Sequence, residues 1–154
     1  MRCEAIAAVG RRLCSDLVDP RSLQALLACR LIPLNKNPDV RPIGVCEVIR
    51  RILGKVILSV GKQDVVAATG LLQLAGGLDG GCEAAVHAMN ALFEKEETEA
   101  LMFVDAENAF NNWNRQVALW NIQYTCPVIA KVLINCYRSG TCLCVGGKML
   151  TSQE

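Results

Sequence analysis

Asp105 follows the continuous apolar run Ala100-Leu101-Met102-Phe103-Val104 and stands ahead of a helical pattern. A run that short and that apolar predicts a buried strand. A carboxylate closing such a strand is held rigidly with its oxygens outward, as a metal-binding acid is mounted. The same placement equally suits a helix N-cap, and spacing does not separate the two. Two cations, Lys36 and Arg41, flank Asn37-Pro38-Asp39, a turn sequence. They are either a pair brought together for an anionic ligand or two solvated loop charges. Nine cysteines, at 3, 14, 29, 46, 82, 126, 136, 142 and 144, contain no Cys-x-x-Cys pair, and His87 is the single histidine. Structural zinc wants four soft ligands in two close pairs, so these residues are expected to be reduced thiols filling apolar positions.

The surrounding secondary structure is legible in outline. Ile6, Val9, Leu13 and Leu17 form a helical stripe, Asp19-Pro20 punctuates the chain, and a second short helix is expected over 22–29. Prolines 33, 38 and 42 exclude helix from 31–43, which reads as a hairpin. From Val45, the residues Val48, Ile49, Ile52, Leu53, Val56, Ile57 and Val60 recur at helical spacing, with Gly61 as the expected stop. Glu47, Arg50, Arg51 and Lys55 take the opposite face. A glycine cluster at 76–81 precedes a helix from Cys82 to about Lys95, in which His87 is expected to carry no chemistry and Glu83 to favour the dipole. Phe110, Trp113, Val117 and Trp120 form a further stripe, Pro127 opens another helix, and residues 141–151 read as two strands about Gly146-Gly147.

Length and composition set the bounds. The chain has 154 residues, 52% hydrophobic and 20% charged, which predicts one folded domain and argues against disorder. The longest nearly apolar stretch, 65–78, is too short for a bilayer, which takes about 20 apolar residues, so no membrane partner is expected. Met1-Arg2-Cys3-Glu4 does not resemble the start of a secretory signal, and an intracellular protein is expected. The net charge of +1 conceals a split: residues 1–62 hold 11 Lys and Arg against 5 acids, and residues 63–154 hold 5 against 10. A basic front suits a polyanion, and equally an ordinary solvated surface.

The segment Phe103-Val104-Asp105-Ala106-Glu107-Asn108-Ala109-Phe110-Asn111 resembles the strand-to-helix motif that carries the first catalytic aspartate of reverse transcriptases, those of non-LTR retrotransposons above all. Leu31 to Lys36 with Arg41-Pro42-Ile43-Gly44-Val45 is similar to that family's fingers hairpin. Gly81-Cys82-Glu83-Ala84-Ala85-Val86-His87 resembles the segment that precedes its aspartate motif. The three occur in the family's order and cover about residues 31–152.

The resemblance implies an α+β chain with a partial right-hand polymerase fold: fingers and connecting helices over 1–98, and the first part of the palm over 99–154. It implies RNA-directed DNA polymerase activity in the parent enzyme, on an RNA template, a DNA primer and deoxynucleoside triphosphates, with two Mg2+ ions about 3.5–4 Å apart. Asp105 would be the first catalytic carboxylate, and the carbonyl of Ala106 a second oxygen for magnesium. Lys36 and Arg41 would clamp the triphosphate. Phe110 would exclude a 2′-hydroxyl by its bulk, core packing being the competing role. Arg50, Arg51 and Lys55 would grip template phosphates, an ordinary solvated helix face being the alternative.

The family's next segments, one with Gly and Gln and then a hairpin with two adjacent aspartates, have no counterpart here, and no Asp-Asp pair occurs in the chain. The expectation is therefore an N-terminal fragment that does not polymerise alone and binds magnesium at most weakly. The strand ending at Asp105 would be left with an unpaired edge that invites self-association. The alternative is a non-catalytic nucleic-acid-binding or structural remnant of a decayed mobile element.

Overall fold

A computed structural model describes residues 2–70, 73–74, 79–106 and 109–152, with the side chains of Arg2, Phe110 and Asn111 outside that set. The chain is α+β, with helices and one four-stranded mixed sheet. It divides into two compact units: Met1–Gly61 with Asn114–Glu154, and Lys62–Trp113. These are units of packing and leave the functional partition expected at residue 98 as it stands.

The first unit begins with α1 (Arg2–Ser15) and α2 (Pro20–Leu27). Asp19 caps α2 by accepting the Arg21 N–H at 2.9 Å, and Pro20 occupies the first turn, where its missing N–H costs nothing. The Arg21 guanidinium and N–H hold the Asp19 carboxyl below its usual range. The chain then forms β1 (Cys29–Lys36), β2 (Asp39–Cys46) and α3 (Val48–Thr69), of which residues up to Gly61 belong to this unit. It returns as α6 (Arg115–Thr125), α7 (Pro127–Tyr137), β3 (Cys142–Val145) and β4 (Lys148–Thr151). Asn114 caps α6 by accepting the Val117 N–H at 3.0 Å. Gly146 and Gly147 have φ of 53° and 77°, the left-handed pair that a two-residue hairpin turn demands. The sheet order is β2-β1-β3-β4, antiparallel except for the parallel β1–β3 contact.

The core of this unit is Leu13, Leu23, Leu27, Leu53 and Val132, with Ile6, Val18, Leu26, Ile57 and Cys136 packed against it. What locks α1 in place is α7, whose Lys131, Asn135 and Arg138 lie on one face at helical spacing. Lys131 Nζ donates to the Ser15 carbonyl at 2.7 Å. Asn135, 1% exposed, donates from Nδ2 to the carbonyls of Leu13 at 3.0 Å and Asp16 at 2.7 Å, and its Oδ1 accepts the Val18 N–H at 3.0 Å. Arg138 donates to the Val18 carbonyl. The carbonyls that the end of α1 leaves orphaned are thus satisfied by another helix.

Three expectations are corrected. Gly61 does not stop α3, which continues to Thr69. A Cβ on Gly61 would lie 3.2 Å from Ile129 Cγ2, so the glycine serves the approach of α3 to α7 instead of a helix end. The apolar stripe of α3 is buried at Leu53, while Val48, Ile49, Ile52, Val56 and Val60 remain exposed. The stripe from Phe110 to Trp120 is split between α5 (Ala109–Asn112) and α6, and Trp113, Val117 and Trp120 are exposed.

The second unit holds the end of α3, α4 (Gly81–Phe93) and α5. Glu83 sits in the first turn of α4 as expected, and His87 is exposed. The buried strand expected over 100–104 is absent. Residues 100–106 form no strand, and Met102, Phe103 and Val104 are 85%, 84% and 80% exposed. A buried strand needs hydrogen-bonded neighbours at its edges and layers over its faces. Among the described residues no strand pairs with this segment.

Candidate functional site

The β1–β2 ladder pairs Lys36 with Asp39, Leu34 with Arg41, Ile32 with Ile43 and Arg30 with Val45. Directly opposed residues point to the same face, and alternate residues along a strand do too, so these eight share one face of the hairpin. Lys36 and Arg41 are diagonal neighbours near its tip, which in an antiparallel pair means roughly 7–8 Å between their backbones. Both are exposed. The ladder therefore brings together the two cations singled out in the sequence. It also sets Asp39 in the same row, a carboxylate that tempers the positive field there.

Asp105 and Ala106 belong to the other unit, in the exposed segment described above. The mounting expected of Asp105, at the end of a buried strand, is absent. The Phe110 side chain lies outside the described residues, as does Glu107. Among the described residues no three His, Cys, Asp or Glu side chains gather to hold a metal ion. Two magnesium ions need at least two rigid carboxylates, and one exposed carboxylate with one main-chain carbonyl does not fit that requirement.

Of the three α3 cations given a template role, Arg51 and Lys55 are exposed and Arg50 is not on the solvated face that its spacing suggested. The Arg50 guanidinium turns inward and donates from Nη1 to the Leu27 carbonyl at 3.3 Å, Cys46 Sγ at 3.4 Å and Cys29 Sγ at 3.5 Å. It also lies 5.6 Å from the Tyr137 ring centroid, within cation–π range. Polarisable sulfurs, a carbonyl and a ring face take the place of water, so the half-buried cation keeps its charge. Burial works against that charge, but Cys46, Cys136, Tyr137 and Cys29 outweigh it and hold the Arg50 pKa above its ordinary value.

The same cluster perturbs its thiols. Cys29 Sγ and Cys46 Sγ are 2.9 Å apart. The Cys29 pKa is pushed up to about 11, by burial first and then by the hydrogen bond with and charge of Cys46, with Arg50 pulling the other way. Burial also raises Cys136, against the pull of Arg50. This cluster was not singled out in the sequence, although the signal was there. Each arm of the hairpin is eight residues long, so Cys29 and Cys46 stand equally far from the Asn37-Pro38 turn and must face one another. The expectation that the cysteines fill apolar core positions holds for Cys29 and Cys126, whereas Cys3, Cys14 and Cys82 are exposed.

A cavity of about 720 Å³ opens between α1, α2 and the start of α3, lined by Val9, Leu13, Leu26 and Ile49 with Arg12, Asp19 and Glu47 at its polar edge. Of the candidate site residues, Lys36, Arg41, Arg50, Arg51, Lys55, Asp105 and Ala106 do not line it. Comparison of the chain with protein-family models, with curated proteins and with solved structures finds no match in any of the three.

Proposed function

We propose that the chain carries the fingers and the first palm segment of an RNA-directed DNA polymerase of the non-LTR retrotransposon kind, with a partial right-hand polymerase fold. The observation that supports this best is the hairpin: Lys36 and Arg41 share an exposed face at its tip. A forked guanidinium beside an ammonium suits the oxygens of a deoxynucleoside triphosphate. The order of the three motif segments and the mixed α+β architecture agree with the reading. Arg51 and Lys55, exposed on α3, are the residues for an RNA template or DNA primer backbone, where each cation adds sequence-independent affinity. Arg50 has its guanidinium committed elsewhere and acts on the fold. Asp105, Ala106 and Phe110 keep the roles the resemblance implies in the complete enzyme, with its two magnesium ions. The 154 residues contain no Asp-Asp pair and are not expected to extend a primer alone.

The test is titration of the chain, by fluorescence anisotropy, with a labelled deoxynucleoside triphosphate and with a labelled RNA–DNA template–primer. Lys36→Ala with Arg41→Ala is expected to weaken triphosphate binding roughly tenfold or more. Arg51→Ala and Lys55→Ala should each lower the salt slope of duplex binding by about 1. A chain that binds neither probe rejects the reading. A second reading, a non-catalytic nucleic-acid-binding remnant, is supported by the exposure of the segment carrying Asp105. Salt-dependent duplex binding with no triphosphate binding distinguishes it.

A further inference from the structure

Two thiols can close a disulfide without rearranging the backbone only where their α-carbons lie about 4.4–6.8 Å apart. Directly opposed residues of an antiparallel ladder stand at roughly 4.5–5.5 Å, and the β1–β2 register puts Cys29 directly opposite Cys46. Their sulfurs are already 2.9 Å apart. The two differ in access: Cys29 is 9% exposed, while Cys46, at the end of β2, is half-buried. A fixed cation contacts both, since Arg50 Nη1 reaches Cys46 Sγ at 3.4 Å and Cys29 Sγ at 3.5 Å. Cys136 and Tyr137 of α7 complete the surroundings.

We propose that Cys29 and Cys46 form an oxidative modification site, a dithiol that a hydroperoxide converts into a cross-strand disulfide, with Arg50 as the positioning residue. Cys46, the more accessible sulfur, reacts first. Its thiolate attacks one peroxide oxygen; an S–O bond forms, the O–O bond breaks, and the alcohol leaves after taking a proton from solvent. The Cys29 sulfur then attacks the sulfenic sulfur of Cys46; the S–S bond forms, the S–O bond breaks, and water leaves with the proton that Cys29 gives up. Two thiols lose two electrons, and one hydroperoxide is reduced to an alcohol and water. Cys29 holds its proton tightly until this second step. The cross-link ties the base of the hairpin while leaving its tip untouched. This inference stands independently of the polymerase reading.

The experiment uses the full reduced chain treated with one equivalent of hydrogen peroxide, then alkylation of remaining thiols and tryptic mapping without reductant. Cleavage places Cys29 in the peptide 22–30 and Cys46 in the peptide 37–50. The expected first product is these two peptides joined, two hydrogens lighter than their sum, and separated again by a thiol reductant. Cys29→Ser should block the second step and leave Cys46 as a sulfenic acid that dimedone labels. Arg50→Gln should slow cross-linking roughly tenfold, with Arg50→Lys restoring part of the rate. A first cross-link at another pair, such as Cys142 with Cys144 or Cys46 with Cys136, overturns the proposal. So does full alkylation of both thiols after peroxide, and that outcome needs no variant.

Discussion

Asn135 serves three main-chain groups from a site with almost no access to water. Replacing it with Leu keeps the volume roughly constant and leaves the Val18 N–H and two carbonyls without partners. The expected loss is about 2–4 kcal/mol, since each unpaired buried group costs about 1–3 kcal/mol and part of the site will admit water. A lower denaturation midpoint at unchanged slope would register it. Cys29 supplies a pH dependence at the same scale. Its folded pKa of about 11 stands above the ordinary value of 9.0, so the folded chain holds the proton more tightly than the unfolded one. The stability this brings is complete below pH 9 and is lost as pH rises towards 11. Thermal midpoints measured across that window should fall for the natural chain and fall less for Cys29→Ala; equal declines would contradict the linkage.

Helix α3 allows a matched pair of glycine substitutions. A side chain on Gly61 meets Ile129 and Val128 of α7, so Gly61→Leu should cost about 1–3 kcal/mol by forcing the helices apart. Nothing lies within 4 Å of a Cβ at Gly54, and Gly54→Ala should stabilise the helix by about 0.5–1 kcal/mol. Chemical denaturation reads both, and the same sign for the two would reject the packing argument. This helix also illustrates what a sequence discloses. Its existence follows from apolar spacing, but a glycine needed for a close approach looks the same as one that ends a helix. Signals confined to a few neighbouring residues were legible: the Gly146-Gly147 turn, Pro127 at the start of α7, and the prolines that make residues 31–43 a hairpin. Signals that depend on distant partners were not. The run 100–104 has the composition of a buried strand, yet a strand exists only by virtue of its neighbours. The lysine, asparagine and arginine of α7 look like ordinary polar positions until α1 is seen against them. Of the candidate site, the nearness of Lys36 to Arg41 follows from the turn sequence, whereas the inward turn of Arg50 depends on two cysteines and a tyrosine from other elements.

At the scale of the whole molecule, the buried hydrophobic side chains among the described residues all belong to the unit formed by 1–61 and 114–154. The unit Lys62–Trp113 contributes none, although α4 is rich in apolar residues, with Val86, Leu92 and Phe93 exposed. Local opening free energy follows buried apolar contact, so amides of α4 should exchange with deuterium well before those of α1, α2 and α7. Equal protection in the two units would contradict this. No helix among the described residues is long and apolar enough to cross a membrane. The locking of α1 by α7 joins groups 116 to 122 residues apart. At roughly 5–20 residues per second, a ribosome that has finished the first helix takes on the order of 6–24 s to deliver the second. Through that interval Leu13 has Leu23, Leu27 and Leu53 within reach but not Val132, and the final turn of α1 lacks the donors that α7 supplies. The seal on that last turn is therefore among the latest contacts the chain is able to make.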